Sequence, residues 1–315
     1  MNPKKICILG GSGFVGRRIA SRLAAQGHRV VVPTRRRIQA RDLTVLPTVD
    51  LVEIDIHAPH ALEKLFEGAD AVINLVGILH GSHKAFVQNH VKLPHRVMQA
   101  CHHAGVPRLL HMSALGADVN SKSFYQHSKG EGERLVLEPG RERDLAVTVF
   151  RPSVIFGPGD GFLNLFARLA RLAPVIPLAS GNARFQPVYV DDVARAFVDS
   201  LNDSDTFGQA YNLCGPRVYT LTELVGLVAN RLGLARTIVP LGKTASYWMA
   251  RLLELKPGRK LMTRDDFHAM QIDNACPDGF PARFGTPTAL EIVIGYLVEA
   301  SPRQAYEQFR QRAQR

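Results

Sequence analysis

Residues 10–16 read Gly10-Gly11-Ser12-Gly13-Phe14-Val15-Gly16 and directly follow the apolar run Ile6-Cys7-Ile8-Leu9. In such a turn, Gly10 permits a sharp exit from a strand, and Gly13 lets backbone N–H groups approach a pyrophosphate. Gly16 allows the following helix to pack close to the sheet. That helix directs its unpaired amides and partial positive charge at the phosphates. The stretch therefore predicts dinucleotide binding, and the alternative is a purely structural tight turn.

Strand and helix patterns alternate beyond this turn. Apolar runs occur at 5–9, 28–32, 50–54, 70–76, 107–112 and 145–150. Helical patterns lie near 13–26, 59–67, 84–104 and 123–138. Near-continuous apolar strands separated by helices indicate a parallel sheet covered on both faces. The sequence thus predicts an α/β, doubly wound parallel-sheet Rossmann fold that binds its ligand at the carboxyl ends of the strands.

The residue pattern of the chain changes near residue 151, where Gly and Pro become frequent. We predict a dinucleotide-binding Rossmann domain over 1–150. Residues 151–315 are predicted to interleave the remaining Rossmann elements with a small C-terminal substrate or partner lobe. Within that lobe, residues 244–255 carry apolar side chains at helical spacing beside several cations. Such a stripe indicates a helix whose apolar face is buried in the core or packs against the rest of the lobe. The alternative is a helix that binds a membrane surface or a partner protein.

The composition limits the classes of protein to which this chain can belong. The chain has 315 residues and is 46% hydrophobic, enough for a large core. No stretch reaches the roughly 18 apolar residues of a membrane span. The first residues lack the pattern of a secretory signal, so we expect a cytoplasmic protein, with a peripheral position at the inner face of the membrane as the alternative.

The four cysteines, Cys7, Cys101, Cys214 and Cys276, are scattered and form no Cys-x-x-Cys pair. We therefore expect free buried thiols in a reducing compartment and no metal site. The net charge of +11 clusters partly in basic stretches, which contain Arg35, Arg36, Arg37, Arg41, Arg303, Arg310, Arg312 and Arg315. No nucleic-acid-binding motif accompanies them, so an anionic cofactor, an acidic membrane surface or simple solubility explains the charge better.

The end of the second strand indicates which coenzyme is bound. It reads Thr34-Arg35-Arg36, without the carboxylate that would bind a ribose 2′-hydroxyl. Because guanidinium groups pair with phosphate, NADP(H) is favoured over NAD(H), unless this is only an exposed basic loop. Asp55 is expected to touch the adenine amino group, with Ile56 flanking the ring. The alternative role for Asp55 is to cap the next helix.

A second constellation contains groups suited to carbonyl chemistry. Tyr125 and Lys129 are four residues apart, so they share one helix face. Carbonyl reduction needs a proton donor, and an adjacent ammonium is expected to lower the tyrosine pKa from about 10. Ser113, predicted just after the fifth strand, would hold the substrate oxygen against the phenol. We predict Ser113, Tyr125 and Lys129 as the catalytic residues.

The chain resembles short-chain dehydrogenases/reductases of the extended or atypical kind, which are related to nucleotide-sugar epimerases. The resemblance covers essentially the whole chain. It rests on residues 10–16, Asn74-Leu75-Val76-Gly77, Ser113, Tyr125 with Lys129, Arg151-Pro152-Ser153, and Val188-Tyr189-Val190-Asp191-Asp192-Val193-Ala194. It implies bound NADP(H) and adds contacts to those predicted above. The full expected coenzyme set is Gly10, Gly11, Ser12, Gly13, Phe14, Val15, Gly16, Thr34, Arg35, Arg36, Asp55, Ile56, Leu75, Val76, Gly77, Tyr125, Lys129, Arg151, Pro152, Ser153 and Val154.

A narrower similarity is to the nucleotide-binding accessory subunit of respiratory complex I and its bacterial relatives. The phrases that carry it are 113–117, 151–157, 184–190, Met262-Thr263-Arg264-Asp265 and Asp273-Asn274. Two functions follow. One is an NADP(H)-dependent oxidoreductase acting on a carbonyl, alcohol or sugar-like substrate, with the loop 156–164, Arg184 and Gln186 shaping its pocket. The other is a non-catalytic NADP(H)-binding accessory or assembly subunit, docked on a respiratory complex or a membrane surface.

Overall fold

A seven-stranded, entirely parallel sheet forms the centre of the protein, for which the computed structural model describes residues 2–142, 145–255 and 260–298. The strands are β1 (Lys5–Leu9), β2 (Arg29–Thr34), β3 (Val49–Glu53), β4 (Ala71–Asn74), β5 (Arg108–Met112), β6 (Ala146–Pro152), β7 (Ile155–Phe156), β8 (Val175–Leu178), β9 (Arg184–Phe185), β10 (Val188–Tyr189), β11 (Gln209–Leu213), β12 (Tyr219–Thr220) and β13 (Thr237–Pro240). The order across the large sheet is β11-β6-β5-β4-β1-β2-β3. This is the predicted doubly wound fold. The tail arginines named above, with Lys256 and Arg259, lie outside the described residues.

Helices cover both faces of this sheet and build the C-terminal part of the described chain. They are α1 (Phe14–Ala25), α2 (Ala61–Phe66), α3 (His83–Phe86), α4 (Leu93–His103), α5 (Phe124–Glu142), α6 (Phe162–Leu172), α7 (Val190–Asp199), α8 (Leu221–Arg231), α9 (Lys243–Leu255), α10 (Arg264–Ala269) and α11 (Leu290–Val293). Segments of 3₁₀ helix lie at Arg37–Val45, Ser204–Thr206, Ala282–Phe284 and Ile294–Leu297. None of the helices in these described stretches is long and apolar enough to cross a membrane.

The single helix predicted over 84–104 is interrupted by a π segment, Val87–Lys92, between α3 and α4. Pro94 explains the interruption, since it lies in the first turn of α4. A proline there cannot donate a hydrogen bond to the carbonyl of His90, and its ring crowds that carbonyl. The helix therefore widens around His90, and π segments of this kind are frequent at functional sites.

Alternate side chains of β1 enter two different cores, as a strand covered on both faces requires. Ile6 and Ile8 join a cluster with α1 and α7, whereas Cys7 and Leu9 join one with α2, α4 and α5. A third core forms between α6, α8 and the small sheets, and a fourth lies under α9 and α10. Both α7 and β11 come from beyond residue 151 yet complete the nucleotide-binding layers.

The prediction of four free thiols is wrong for one pair, because Cys214 and Cys276 form a disulfide with Cα atoms 6.0 Å apart. Cys214 directly follows β11, and the chain near Asn274 runs beside β9, which brings the two cysteines together. This proximity depends on the tertiary fold and has no signature in the spacing. Cys7 and Cys101 are free and buried, and burial raises the pKa of Cys7 to about 12.

Candidate functional site

The glycine turn lies where the strand order reverses, between β1 and β4. Gly10 takes a φ of +80°, and a Cβ there would lie 3.3 Å from the carbonyl carbon of Leu75, just after β4. A Cβ on Gly16 would lie 2.3 Å from the oxygen of Gly10. Only glycine at position 16 lets α1 start this close to the turn that follows β1. Ligands of open α/β sheets bind at this reversal point.

The first turn of α1 has the features of an anion-binding site. Gly13 is its N-cap, no side chain caps it, and its first turn contains no acidic residue. The amides of Phe14 and Val15 therefore keep the unpaired character of helix N-termini. Gly13 is exposed and Ser12 half-buried, so a phosphate can reach the backbone here. These features fit a pyrophosphate, the central group of a nicotinamide dinucleotide.

At the next strand end, Thr34 is buried and its hydroxyl bonds to the backbone of Arg36 (Oγ1 to O, 3.2 Å). The side chains of Arg35 and Arg36 are exposed beyond it. A carboxylate that the sequence argument did not consider lies close by, since Glu53 of β3 accepts the N–H of Arg37 at 3.2 Å. Sequence distance hid Glu53, whereas strand pairing places it opposite Thr34. The selectivity for NADP(H) remains a prediction.

Asp55 is exposed after β3 and accepts the backbone N–H of His57 at 2.9 Å. Helix α2 begins only at Ala61, with His60 at its N-cap, so the alternative role of Asp55 as a helix cap is wrong. Ile56 is half-buried against the core shared by β1 and β4. The predicted contact of Asp55 with adenine remains a prediction.

The three predicted catalytic residues lie just after β5, for Ser113, and in the first turns of α5, for Tyr125 and Lys129. The ammonium of Lys129 donates to the carbonyl of Met112 at 2.6 Å, which places it beside Ser113. Tyr125 lies one turn before Lys129 on α5. The hydroxyl of Ser113 is buried and has no hydrogen-bond partner within the described part of the protein. An orphaned hydroxyl in this place fits a group that receives an oxygen of a bound molecule.

The charge state of this trio differs from the expectation. Burial and the charge of Asp266 raise the pKa of Tyr125 to about 12. Burial lowers the pKa of Lys129 to about 8, against the opposing influence of Glu133. The prediction that the ammonium lowers the phenol pKa is therefore wrong here. Desolvation is the largest influence on the phenol, and the ammonium of Lys129 is directed at the carbonyl of Met112. The phenol of Tyr125 is consequently protonated at neutral pH.

Sequence reasoning missed His90, which the π segment turns into this site. Its Nε2 accepts the N–H of Ile78 at 3.0 Å, so its Nδ1 carries the hydrogen and donates to Ser128 Oγ at 2.9 Å. Ser128 in turn donates to the carbonyl of Tyr125 at 3.0 Å. Burial and Lys129 lower the pKa of His90 to about 3, so the ring stays neutral. The chain of bonds fixes the loop after β4 to α5.

Two carboxylates of α10 contact the segments around the site, and one of them, Asp265, holds the start of α5. Asp265 accepts the N–H groups of Phe124 and Tyr125 at 2.6 and 3.1 Å and the hydroxyl of Ser123 at 3.0 Å. Asp266 is 3.0 Å from His80 Nε2. Asp265 was quoted above only as part of a family phrase. Its role as a helix cap supplied from another part of the chain could not be found from local sequence.

The residues predicted to contact the coenzyme at the end of β6 and just after it form interactions within the protein. Arg151 forms an ion pair with the buried carboxylate of Glu133 through Nε, at 2.9 Å, and Nη2. Ser153 Oγ donates to Asn274 Oδ1 at 2.6 Å, and the N–H of Val154 donates to the same oxygen at 3.1 Å. Pro152 is buried at the end of β6, and Leu75, Val76 and Gly77 lead out of β4. Coenzyme contacts by all of these residues remain predictions.

The pocket-shaping role expected of Gln186 is wrong. Its side chain is buried, donating to the oxygen of Gly215 at 2.7 Å and accepting the N–H of Cys276 at 2.8 Å. Gln186 therefore braces the backbone around the disulfide. Arg184 is exposed and pairs with Asp273 at 3.8 Å. Across the described residues, no group of three or more His, Cys, Asp or Glu side chains is placed to hold a metal.

Comparisons with known proteins agree with this geometry. Over 295 residues the chain is 30% identical to mitochondrial NADH dehydrogenase [ubiquinone] 1 alpha subcomplex subunit 9 from Mus musculus, covering 90% of this chain and 77% of the mouse protein. It is 33% identical over 198 residues to a ceramide reductase from Caulobacter vibrioides, covering 61% and 59% of the two chains. A solved UDP-glucuronic acid 4-epimerase mutant from Bacillus cereus, in complex with a sugar nucleotide and NAD, has the same fold, with a TM-score of 0.71 at 18% identity over 93% of this chain and 98% of that one.

Residues 6–214 match the model of the NAD dependent epimerase/dehydratase family, and this span runs from the glycine turn through the Ser-Tyr-Lys trio to the end of the sheet. The chain belongs to the NAD dependent epimerase/dehydratase family, in its extended short-chain dehydrogenase/reductase branch, close to the relatives of the complex I accessory subunit.

Proposed function

We propose that this protein is an NADP(H)-dependent oxidoreductase of the short-chain dehydrogenase/reductase type, acting on a carbonyl, alcohol or sugar-like substrate. The observation that carries the proposal is the buried, unpartnered hydroxyl of Ser113 beside Lys129, with a protonated Tyr125 one helical turn before that lysine. A purely structural protein has no need for this combination at the crevice where the family binds its coenzyme.

The residues have separate tasks in this scheme. The bound nicotinamide would supply or accept the hydride. The amides of Phe14 and Val15 hold the pyrophosphate, and Arg35 and Arg36 pair with the 2′-phosphate. Ser113 donates to the substrate oxygen, and Tyr125 delivers a proton to it during reduction. Lys129, when its contact with Met112 is exchanged, is free to bind the nicotinamide ribose.

Burial keeps the phenol of Tyr125 protonated at neutral pH, which is the form that can give a proton to a carbonyl oxygen. A pKa of about 12 also makes this phenol a weak acid, because proton transfer is most effective when the pKa lies near the operating pH. In this scheme the bound coenzyme and substrate would therefore have to lower the pKa of Tyr125 during reduction.

The second candidate is a non-catalytic NADP(H)-binding accessory or assembly subunit of a respiratory NADH:quinone oxidoreductase, peripheral on the cytoplasmic face of the membrane. The similarity to the mouse subunit over 90% of this chain favours it. In this role the coenzyme stabilises the fold instead of turning over, and the partner is the respiratory complex.

One experiment separates the two. NADPH oxidation is followed for the wild type and Tyr125→Phe across a panel of aldehydes, sugar ketones and long-chain ketones, the last because one relative is a ceramide reductase. Turnover that Tyr125→Phe abolishes, while calorimetry shows NADPH still bound, supports the enzyme. Tight NADPH binding without turnover on any substrate, together with co-purification with respiratory-complex subunits, supports the accessory role. Absence of binding of either pyridine coenzyme contradicts both.

A further inference from the structure

Helix α9 (Lys243–Leu255) has apolar side chains on two opposite faces. The inward face contributes Ala250, which is fully buried, and the partly buried Met249 and Leu253, to the core beneath α10. The outward face carries Trp248, Leu252 and Leu255, at spacings of four and three residues that align them in one row. Their exposed fractions are 58, 69 and 75%. The core therefore explains only half of the apolar stripe seen in the sequence.

Cations accompany the outward row. The guanidinium of Arg251 lies over the ring of Trp248, 5.3 Å from its centroid, and Lys243 is exposed at the start of the helix. The one acidic residue of α9, Glu254, is paired with Arg264 at 2.7 Å. The outward row therefore carries the positive charge of Arg251, and the acidic residue of the helix is already paired. The whole chain also carries a net charge of +11, which attracts it to anionic surfaces.

We propose that α9 docks this protein on an anionic phospholipid bilayer, lying in the plane of the interface with Trp248, Leu252 and Leu255 in the acyl boundary. An apolar row with an indole and flanking cations is the composition of interfacial helices. A single row of three side chains is small for a stable protein–protein interface, whereas a bilayer needs no complementary shape. The proposal goes beyond the oxidoreductase function, and for the accessory role it names the helix and the lipid charge that would hold the protein at the membrane.

The position of α9 connects this surface with the site. Tyr247, beside Trp248, packs against Phe267 of α10 with ring centroids 5.7 Å apart. Two residues earlier, Asp265 caps the helix that carries Tyr125. Docking through α9 would thus place α10 and the start of α5 on the side of the molecule that faces the membrane. An amphipathic substrate or a membrane partner would meet the protein on this side.

Trp248 is the only tryptophan of the chain, so its emission reports on this helix directly. Full-length protein is mixed with vesicles of phosphatidylcholine alone or with phosphatidylglycerol added. We expect a blue shift and co-sedimentation with the anionic vesicles, and quenching by brominated acyl chains. Unchanged emission and no sedimentation with anionic vesicles would overturn the proposal. A blue shift that grows with protein concentration without lipid would also overturn it, in favour of a second copy on this face.

Matched variants locate the contact. Leu252→Ser should weaken vesicle partitioning about tenfold, the effect of losing one buried leucine. Arg251→Gln should weaken binding about fivefold on anionic vesicles and leave binding to neutral ones unchanged. Ile292→Ser is the control, since Ile292 is 78% exposed on α11. Equal binding by the wild type and Leu252→Ser, or an equal loss in the control, would contradict docking through α9. Coenzyme affinity in the same samples verifies the fold.

Discussion

Asp265 Oδ2 accepts the backbone N–H of Tyr125 at 3.1 Å although 140 residues separate the two in sequence. The same carboxylate binds the N–H of Phe124 and the hydroxyl of Ser123, so it serves as the cap of α5. A cap usually comes from the residue that begins the helix. Here the C-terminal part of the chain supplies it, and the placement of Tyr125 depends on that part being folded.

Asp265→Ala should therefore lower the free energy of unfolding by about 1–2 kcal/mol, the range for a lost cap that leaves amides unpaired. Chemical denaturation measures this loss. Asp273→Ala is the matched control, because Asp273 is exposed and its pair with Arg184 spans 3.8 Å. Surface pairs of this kind contribute about 0–1 kcal/mol. Equal losses in both variants would contradict the capping role.

Lys129→Met tests the burial of the ammonium through its dependence on pH. The native pKa is lowered from 10.5 to about 8, so between these values the unfolded chain holds a proton that the native chain has lost. The stability of the wild type should consequently rise with pH across this window, relative to Lys129→Met, by about 3 kcal/mol. The difference is constant below pH 8 and above pH 10.5. If the unfolding free energies of the wild type and Lys129→Met change with pH in the same way over the whole range, the ammonium of Lys129 is solvated in the native protein.

Arg35→Ala combined with Arg36→Ala should weaken NADPH binding far more than NADH binding. Each guanidinium paired with the 2′-phosphate contributes about 1.5–3 kcal/mol, so the double variant should lose at least tenfold in NADPH affinity. Isothermal titration calorimetry with both coenzymes measures the ratio. Arg29→Ala is a suitable control, because Arg29 is an exposed arginine at the opposite end of β2. Equal losses for NADPH and NADH would remove the basis for NADP(H) selectivity.

The Cys214–Cys276 disulfide closes a loop of 62 residues. In the chain-entropy model such a loop adds about 4 kcal/mol of stability. Cys214→Ser with Cys276→Ser should therefore unfold at lower temperature, and reductant should lower the melting temperature of the wild type alone. Peptide mapping by mass spectrometry without reductant should find the two cysteines linked. Finding both alkylated in the native protein would contradict the pairing.

Much of the fold followed from local pattern. The turn at Gly10 and Gly16 and the six apolar runs predicted six of the seven strands of the sheet to within a few residues, because buried parallel strands leave a strong one-dimensional signal, whereas β11 was missed. The trio of Ser113, Tyr125 and Lys129 could be proposed for the same reason. A strand end and a helical spacing of four are both local features.

What the sequence did not reveal depends on contacts across the chain. His90 reaches the site because Pro94 widens the helix around it, and its partners Ile78 and Ser128 are distant in sequence. The pKa of Tyr125 is decided by burial and by Asp266, neither of which a spacing shows. The cysteine pairing was missed for the same reason.

The position of β11 at the margin of the sheet has a consequence for how the protein is made. Residues 209–213 pair with β6 and complete the sheet, while α7 covers the face of α1. A nascent chain cannot finish the coenzyme-binding half until Leu213 has left the ribosome. Until then β6 presents an open edge that invites pairing with other chains. A fragment ending at residue 150 should accordingly be insoluble, and synthesis of the whole protein should benefit from chaperones.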